Sequence, residues 1–384
     1  MTRTRLTLTL LAAALCGCKT TQTVTRQPVG DIAPGAFQVA WTIDAKATAP
    51  TAFYFLENTI FIYEKGNVVS AYDINGGLKF RTTVGEAGDL VGMPIVQPDR
   101  VIFPTSGALD LYTPSGVKTK ALTLPQPIRS PGVVVGDSVF VGTDSDTGGR
   151  LASINLTRSY NVYNWTVLTG IINTKPVIFD NTIYCATEDG RVYAITQDKA
   201  PLWGPGPEMP DGLFHADGKI IAPIKADEGG VYVPSTDTKL YCLAPNTGRM
   251  RWQYFAGVPL TTSPTITADT VYQYVPGSGI VALPKKSLER TAVAKWSFDS
   301  GKQVLADDGR YAYILDNGNA IVAVSKADGT AAFRTQRNDI SQAVTNPDPK
   351  NPAAFVLTKS GQLLCITPVL KTGVVGQLAM LTGD

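Results

Sequence analysis

One unit recurs along this chain about every 40 residues, and few folds can accommodate it. Its clearest copy is TKLYCLAPNTGRMRW, residues 238–252. Apolar and polar residues alternate from Lys239 to Leu243, the period of a strand. A Pro-Asn-Thr-Gly turn follows, then a short run ending in tryptophan. GNVVSAYDINGGLKF (66–80), GRVYAITQDKAPLW (190–203), GIVALPKKSLERTAVAKW (279–296) and NAIVAVSKADGTAAF (319–333) repeat the pattern. GRLASINLTRSYNVYNW (149–165) is a longer variant, and GALDLYTPSGVKTKAL (107–122) lacks the aromatic. GQLLCITPV (361–369) stops before its last strand.

A second marker precedes each copy. Short apolar runs with proline recur as GMPIV, SPGVV, KPVIF, APIKA and SPTIT. Their prolines, Pro94, Pro131, Pro176, Pro223 and Pro264, are spaced 37, 45, 47 and 41 residues apart. A further strand-like run follows each. The unit is therefore strand, turn, strand, Gly turn, strand, Asx/Gly turn, and a strand ending in an aromatic. A four-stranded antiparallel meander of this length predicts a β-propeller, whose ring buries both faces of every sheet. The 36 Gly, 26 Pro and only 17% charged residues agree with many short strands joined by turns.

All five tryptophans, Trp41, Trp165, Trp203, Trp252 and Trp296, fall at the same place in the unit, and Phe80 and Phe333 take that place in two other copies. Repetition at every outer strand predicts that these rings dock neighbouring blades. The chain ends are complementary. FQVAWTID (37–44) reads as a fourth strand with no first three, and QLLCITPV reads as an inner strand with no fourth. The N-terminal strand then completes the last blade and closes the ring. Second strands at Ile60, Val101, Val139, Ile183, Val231, Val271, Tyr311 and Phe355 give eight blades over 37–368, or 41.5 residues each. Seven blades, with the second copy misread, is the alternative. The predicted fold is all-β, an eight-bladed propeller over 37–370 with a tail at 371–384.

The N-terminus reads differently. Arg3 and Arg5 precede an apolar stretch from Leu6 to Leu15, too short to span a bilayer, and small residues follow. This is the pattern of a signal peptide over 1–17. Leu15-Cys16-Gly17-Cys18 resembles the bacterial lipobox, which implies cleavage before Cys18, lipid on its sulfur and acylation of its amine. Lys19, next to it, resembles an outer-membrane sorting signal. Residues 18–36, bearing Thr, Gln and Pro without periodicity, read as a flexible tether. Without residues 1–17 the chain has 32 basic and 32 acidic side chains, so it lacks the electrostatic footprint of a nucleic-acid binder. Cys185, Cys242 and Cys365 lie far apart inside strand-like runs. They read as buried free thiols, with a disulfide the alternative in an oxidising compartment.

The run GxVYAxDxxTGxxxW resembles the pyrroloquinoline quinone (PQQ) propeller repeat, most closely at 238–252 and next at 66–80. With the lipobox, tether and eight blades, the chain is similar to the BamB family of outer-membrane assembly lipoproteins. That resemblance implies a lipid-anchored envelope scaffold on the outer membrane, facing the periplasm. Its partner would be an envelope protein, the barrel-assembly protein BamA, held through its periplasmic POTRA domains. Two family features are missing. An arginine-bearing loop before the fourth blade matches LTGIINTKP (168–176), which has no arginine, and a pair of aspartates matches GKIIAP (218–223), which has no acid. Another envelope protein or a polysaccharide is the alternative partner.

An enzyme reading finds little support. Quinone dehydrogenases of the PQQ-repeat group use adjacent cysteines, and none follow Cys18. No cofactor is expected. Asp144 and Asp146 in GTDSDTGGR (142–150) read as a hairpin turn, with calcium binding the alternative. His215, the sole histidine, reads as a loop residue rather than a base. Specificity is expected where the repeat breaks. One break is PLWGPGPEMPDGLFHADG (201–218), read as a connector between the fourth and fifth blades with Leu213 and Phe214 exposed for a partner. The other is TNPDPKNPAA (345–354).

Overall fold

The computed structural model describes residues 37–86, 89–145, 148–157, 163–335, 339–346 and 352–368. The signal peptide, Cys18, the tether and the tail at 371–384 lie outside the described residues, as do Asp146 and residues 347–351 of the second repeat break.

Eight four-stranded antiparallel sheets follow one another along the chain. Blade 1 shows the unit: Pro50–Leu56, Thr59–Glu64, Val68–Asp73 and Leu78–Thr83. In the eighth sheet Ile340–Asn346, Ala353–Thr358 and Gln362–Pro368 pair in sequence order, and Phe37–Asp44 adds on outside Gln362–Pro368. Trp41 lies opposite Cys365 and Ile43 opposite Leu363. The N-terminal strand thus closes the ring, and the eight-blade reading holds over the seven-blade alternative.

Middle strands are buried on both faces. Thr59–Glu64, Thr182–Ala186, Gly230–Pro234 and Tyr311–Asp316 are buried at every position. Each such sheet is sandwiched between two others, so its strands read as continuous apolar runs. Outer strands alternate instead, as in Leu78–Thr83, where Phe80 alone is buried. The repeated prolines stand just before first strands, as Pro176 does before Val177–Phe179. The first strand of each sheet has no partner on its axial side, so a residue lacking N–H is tolerated there.

Candidate functional site

The docking aromatics share one geometry. In register, Trp41 faces Cys365, Phe80 faces Ala71, Trp252 faces Cys242, Trp296 faces Ala282 and Phe333 faces Ala323. Each aromatic lies opposite an alanine or cysteine, so a large ring covers a small third-strand residue. Trp165 faces Ala152, its side chain being outside the description. Blade 2 has Lys120 opposite Leu111, and no aromatic.

Four indoles reach into the next blade. Trp41 Nε1 donates to Ile74 O at 3.2 Å, Trp203 to Pro245 O at 2.7 Å, Trp252 to Lys285 O at 3.3 Å and Trp296 to Lys326 O at 3.0 Å. Every acceptor follows the third strand of the neighbouring blade. The turn glycine of the repeat lies beneath the ring. A Cβ on Gly248 would meet Trp203 Cδ2 at 2.6 Å, and one on Gly329 would meet Trp296 Cβ at 2.7 Å. Both have left-handed φ, +71° and +77°, so glycine is required there for conformation and for space. Phe333 is only half-buried. In the neighbouring last blade the third strand, Gln362–Pro368, and the fourth, Phe37–Asp44, are not consecutive in the chain, so no hairpin turn joins them.

Lysines add a polar staple between blades. Lys285 Nζ meets Asp227 at 2.9 Å and Glu228 at 2.8 Å, and Lys326 Nζ meets Asp269 at 2.7 Å and Asp307 at 2.8 Å. Burial pulls both ammonium groups down. The carboxylate bonds outweigh it and leave each above the ordinary lysine range.

The first repeat break is placed differently from the reading as a connector. Leu202 N donates to Ala194 O at 2.8 Å, so the chain has already begun the outer edge of blade 4. It then leaves and returns at Phe214–His215, where Phe214 pairs with Val192. The break interrupts the fourth strand rather than following it. Trp203 and Met209 are buried and pin the excursion to the blade 5 turn at Gly248. Phe214 is 8% exposed and meets Tyr241 edge-on at 5.0 Å, and Leu213 is half-buried against another cluster. The expectation of an exposed Leu213–Phe214 docking pair is overturned: pairing with the third strand aims Phe214 into the space between blades. His215 Nε2 sits 2.7 Å from Asp211, exposed.

The excursion and the blade 5 turn enclose a groove of about 330 Å³, lined by Glu208, Met209, Asn246, Thr247 and Arg249 among others. Its rim continues into blade 6. Residues 285–295 there double back along the outer strand of blade 5, with Gln253 N donating to Arg290 O and Ala292 N to Gln253 O, both at 2.8 Å. Arg290 then bridges to Glu208 at 2.7 Å, and this bond holds the Glu208 carboxyl below its usual range. At the tip, Ser287 Oγ accepts from Glu289 N at 3.2 Å. Leu288 is 105% exposed and Val293 78%. Blades 4, 5 and 6 therefore share one rim platform with an apolar tip. Its sequence signal was the length of the 279–296 copy, 18 residues against 15 in the copy at 238–252.

Elsewhere, Asp144 lies in the long hairpin of Ser138–Ser145 and Gly148–Asn155 and bonds Arg129 at 3.2 Å. Among the described residues no group of three or more His, Cys, Asp or Glu could hold a metal ion. Cys185, Cys242 and Cys365 are free and buried, their thiols pushed up to about 12 by burial.

The sheet topology defines an eight-bladed β-propeller. The family model described as outer membrane protein assembly factor BamB matches residues 202–306, from the blade 4 excursion into blade 7. No curated protein matches the sequence. BamB from Moraxella catarrhalis superposes with a TM-score of 0.64 at 16% identity, covering 89% of this chain and 100% of that one. The computationally designed Ika8 protein gives 0.62 at 11%, covering 84% and 96%. BBS1N, solved in complex with ARL6DN, gives 0.52 at 11%, covering 88% and 99%. The chain is an eight-bladed β-propeller that is BamB-like over residues 202–306. At these identities the solved structures speak to the fold, and fold alone does not assign function.

Proposed function

We propose that this protein is a lipid-anchored envelope scaffold, anchored at Cys18 on the outer membrane and facing the periplasm, that serves outer-membrane protein assembly as a non-enzymatic binding protein. The observation carrying this reading is that the BamB family model falls on 202–306, the stretch that builds the rim platform of blades 4–6. A preorganised tip with one exposed aliphatic side chain suits a protein partner, because little entropy is lost on docking. The lipobox-like run at Cys18 supports the anchor, since several acyl chains hold a protein at a bilayer.

A second reading keeps the scaffold and changes the partner. It rests on residues 168–176 and 218–223, which lack the arginine and the aspartates of BamB at the matching places. Affinity capture from detergent-solubilised envelopes tests both. Recovery of barrel-assembly proteins supports the first, and recovery of polysaccharide-handling proteins alone supports the second. Cys18→Ser should release folded protein into the periplasm, whereas a mature N-terminus beyond residue 18 without acyl mass refutes the anchor.

A further inference from the structure

The groove beside the blade 5 turn has two rigid walls. In the first, Gly206 N donates to Met209 O at 2.9 Å and Met209 N to Gly206 O at 3.1 Å, closing a tight turn. Pro207 takes the second position of that turn, where its fixed φ belongs, and Pro205 and Pro210 stand on either side. In the second wall, Thr247 N and Gly248 N both donate to Ala244 O, at 3.2 and 2.8 Å. Trp203 and Met209 both pack on Gly248, so the walls are held against each other. Gly204 and Gly206 line the groove beside open space, since a Cβ on either meets nothing within 4 Å.

Charge and donors are left over in the lining. Glu208 bonds Arg290 at 2.7 Å, and Arg249, in the same lining, adds to the pull on that carboxyl. Two guanidinium groups therefore stand against one carboxylate. Arg249, Asn246 and Thr247 are exposed, and among the described residues their side chains make no hydrogen bond or ion pair. A carboxylate accepts from such donors, and arginine can bind it through two parallel bonds. The volume lies at the small end for ligand sites, with room for a side chain and a short run of backbone. No aromatic ring lines it for a sugar to stack on.

We propose that this groove takes an acidic peptide segment of the partner, with one Asp or Glu side chain paired to the Arg249 guanidinium and the neighbouring backbone bonded to Asn246 and Thr247. Leu288, two residues from Arg290, supplies the apolar contact beside it. The inference rests on the reading of the rim platform as the partner surface, and it adds the chemistry of what docks there. Opposite charge speeds encounter and selects the partner, while the preorganised walls limit the entropy lost on docking.

Fluorescence anisotropy of labelled hexaglutamate on the folded full chain, with hexaglutamine as the control, tests this without the partner. Saturable binding of hexaglutamate that weakens with added salt is expected, and hexaglutamine should not bind. Arg249→Gln should weaken it about tenfold or more. Gly206→Phe should abolish it by filling the groove. Both variants should melt as the wild type does, because Arg249 is exposed and a side chain at Gly206 enters open space without a left-handed backbone. No saturable binding, equal binding of hexaglutamine, or undiminished binding by either variant overturns the proposal. Affinity capture from envelopes separates it from the scaffold reading. Arg249→Gln should lower the yield of the captured partner, and an unchanged yield overturns the groove while the scaffold stands. Hexaglutamate binding with no envelope protein captured by the wild type overturns the scaffold instead.

Discussion

Trp41 Nε1 donates to the Ile74 carbonyl at 3.2 Å, and through that bond the last blade is tied to the first. The same ring lies 6.0 Å from Phe355 of its own blade, so one side chain serves both sheets at the closure. Deleting residues 37–44 removes this ring and opens the edge at Gln362–Pro368. Loss of cooperative unfolding or aggregation should follow, since an uncovered edge pairs with other chains. Trp41→Ala alone should cost roughly 3–5 kcal/mol in denaturant unfolding. An unchanged unfolding curve for the deletion would refute the closure.

The turn glycines separate conformation from packing. Gly136 and Gly329 both have left-handed φ, but a Cβ on Gly136 meets nothing within 4 Å while one on Gly329 meets Trp296 at 2.7 Å. Gly136→Ala should therefore cost about 1–2 kcal/mol for conformation alone. Gly329→Ala should cost that and roughly 1–3 kcal/mol more for overpacking. Equal losses in urea unfolding would mean that the ring does not rest on the turn.

Phe214 is buried where the sequence suggests an exposed docking residue, and Leu288 is the side chain left exposed. Phe214→Ala should lower stability by roughly 3–5 kcal/mol, as for other buried aromatics, and leave partner capture intact when folded protein is matched. Leu288→Ser should leave stability within about 0.5 kcal/mol, because a fully exposed side chain loses no packing, and should weaken capture. Melting curves paired with capture yields decide between these roles.

Alkaline pH should destabilise the fold in two stages. Cys185, Cys242 and Cys365 have thiols raised from 9.0 to about 12 by burial. Tyr232, Tyr241, Tyr272 and Tyr313 have phenols raised from 10.0, first by burial and then by neighbouring carboxylates or, at Tyr232, by Cys242 and Asp227. A raised acid favours its neutral form in the native state, so its contribution is whole below the unfolded pKa and is lost as pH climbs toward the folded one. Melting temperature should start to fall near pH 9 and fall faster above pH 10. A thiol reagent at pH 8 should label none of the three cysteines until denaturant is added, and rapid labelling of the native protein would contradict their burial.

The ring, its blade count and its closure were legible because the repeat encodes them in three places at once: the proline before the first strand, the glycine turn, and the aromatic of the fourth. Lys120 in blade 2 breaks only the third of these, so the copy was still countable. Residues 201–218 misled because proline and glycine mark an excursion and a connector alike. Only pairing with Val192 shows that Phe214 belongs to the outer strand. Leu288 looked like any residue of a long turn, since its exposure depends on residues 285–295 lying against another blade.

A photo-crosslinking residue at Leu288, compared with one at Lys79 on the outer strand of blade 1, tests the scaffold reading most directly in native membranes. The account predicts that Leu288 crosslinks to an outer-membrane assembly protein while Lys79, on a rim without insertions, does not. No adduct at Leu288, equal adducts at both positions, or a Leu288 adduct only with proteins outside that machinery would contradict it.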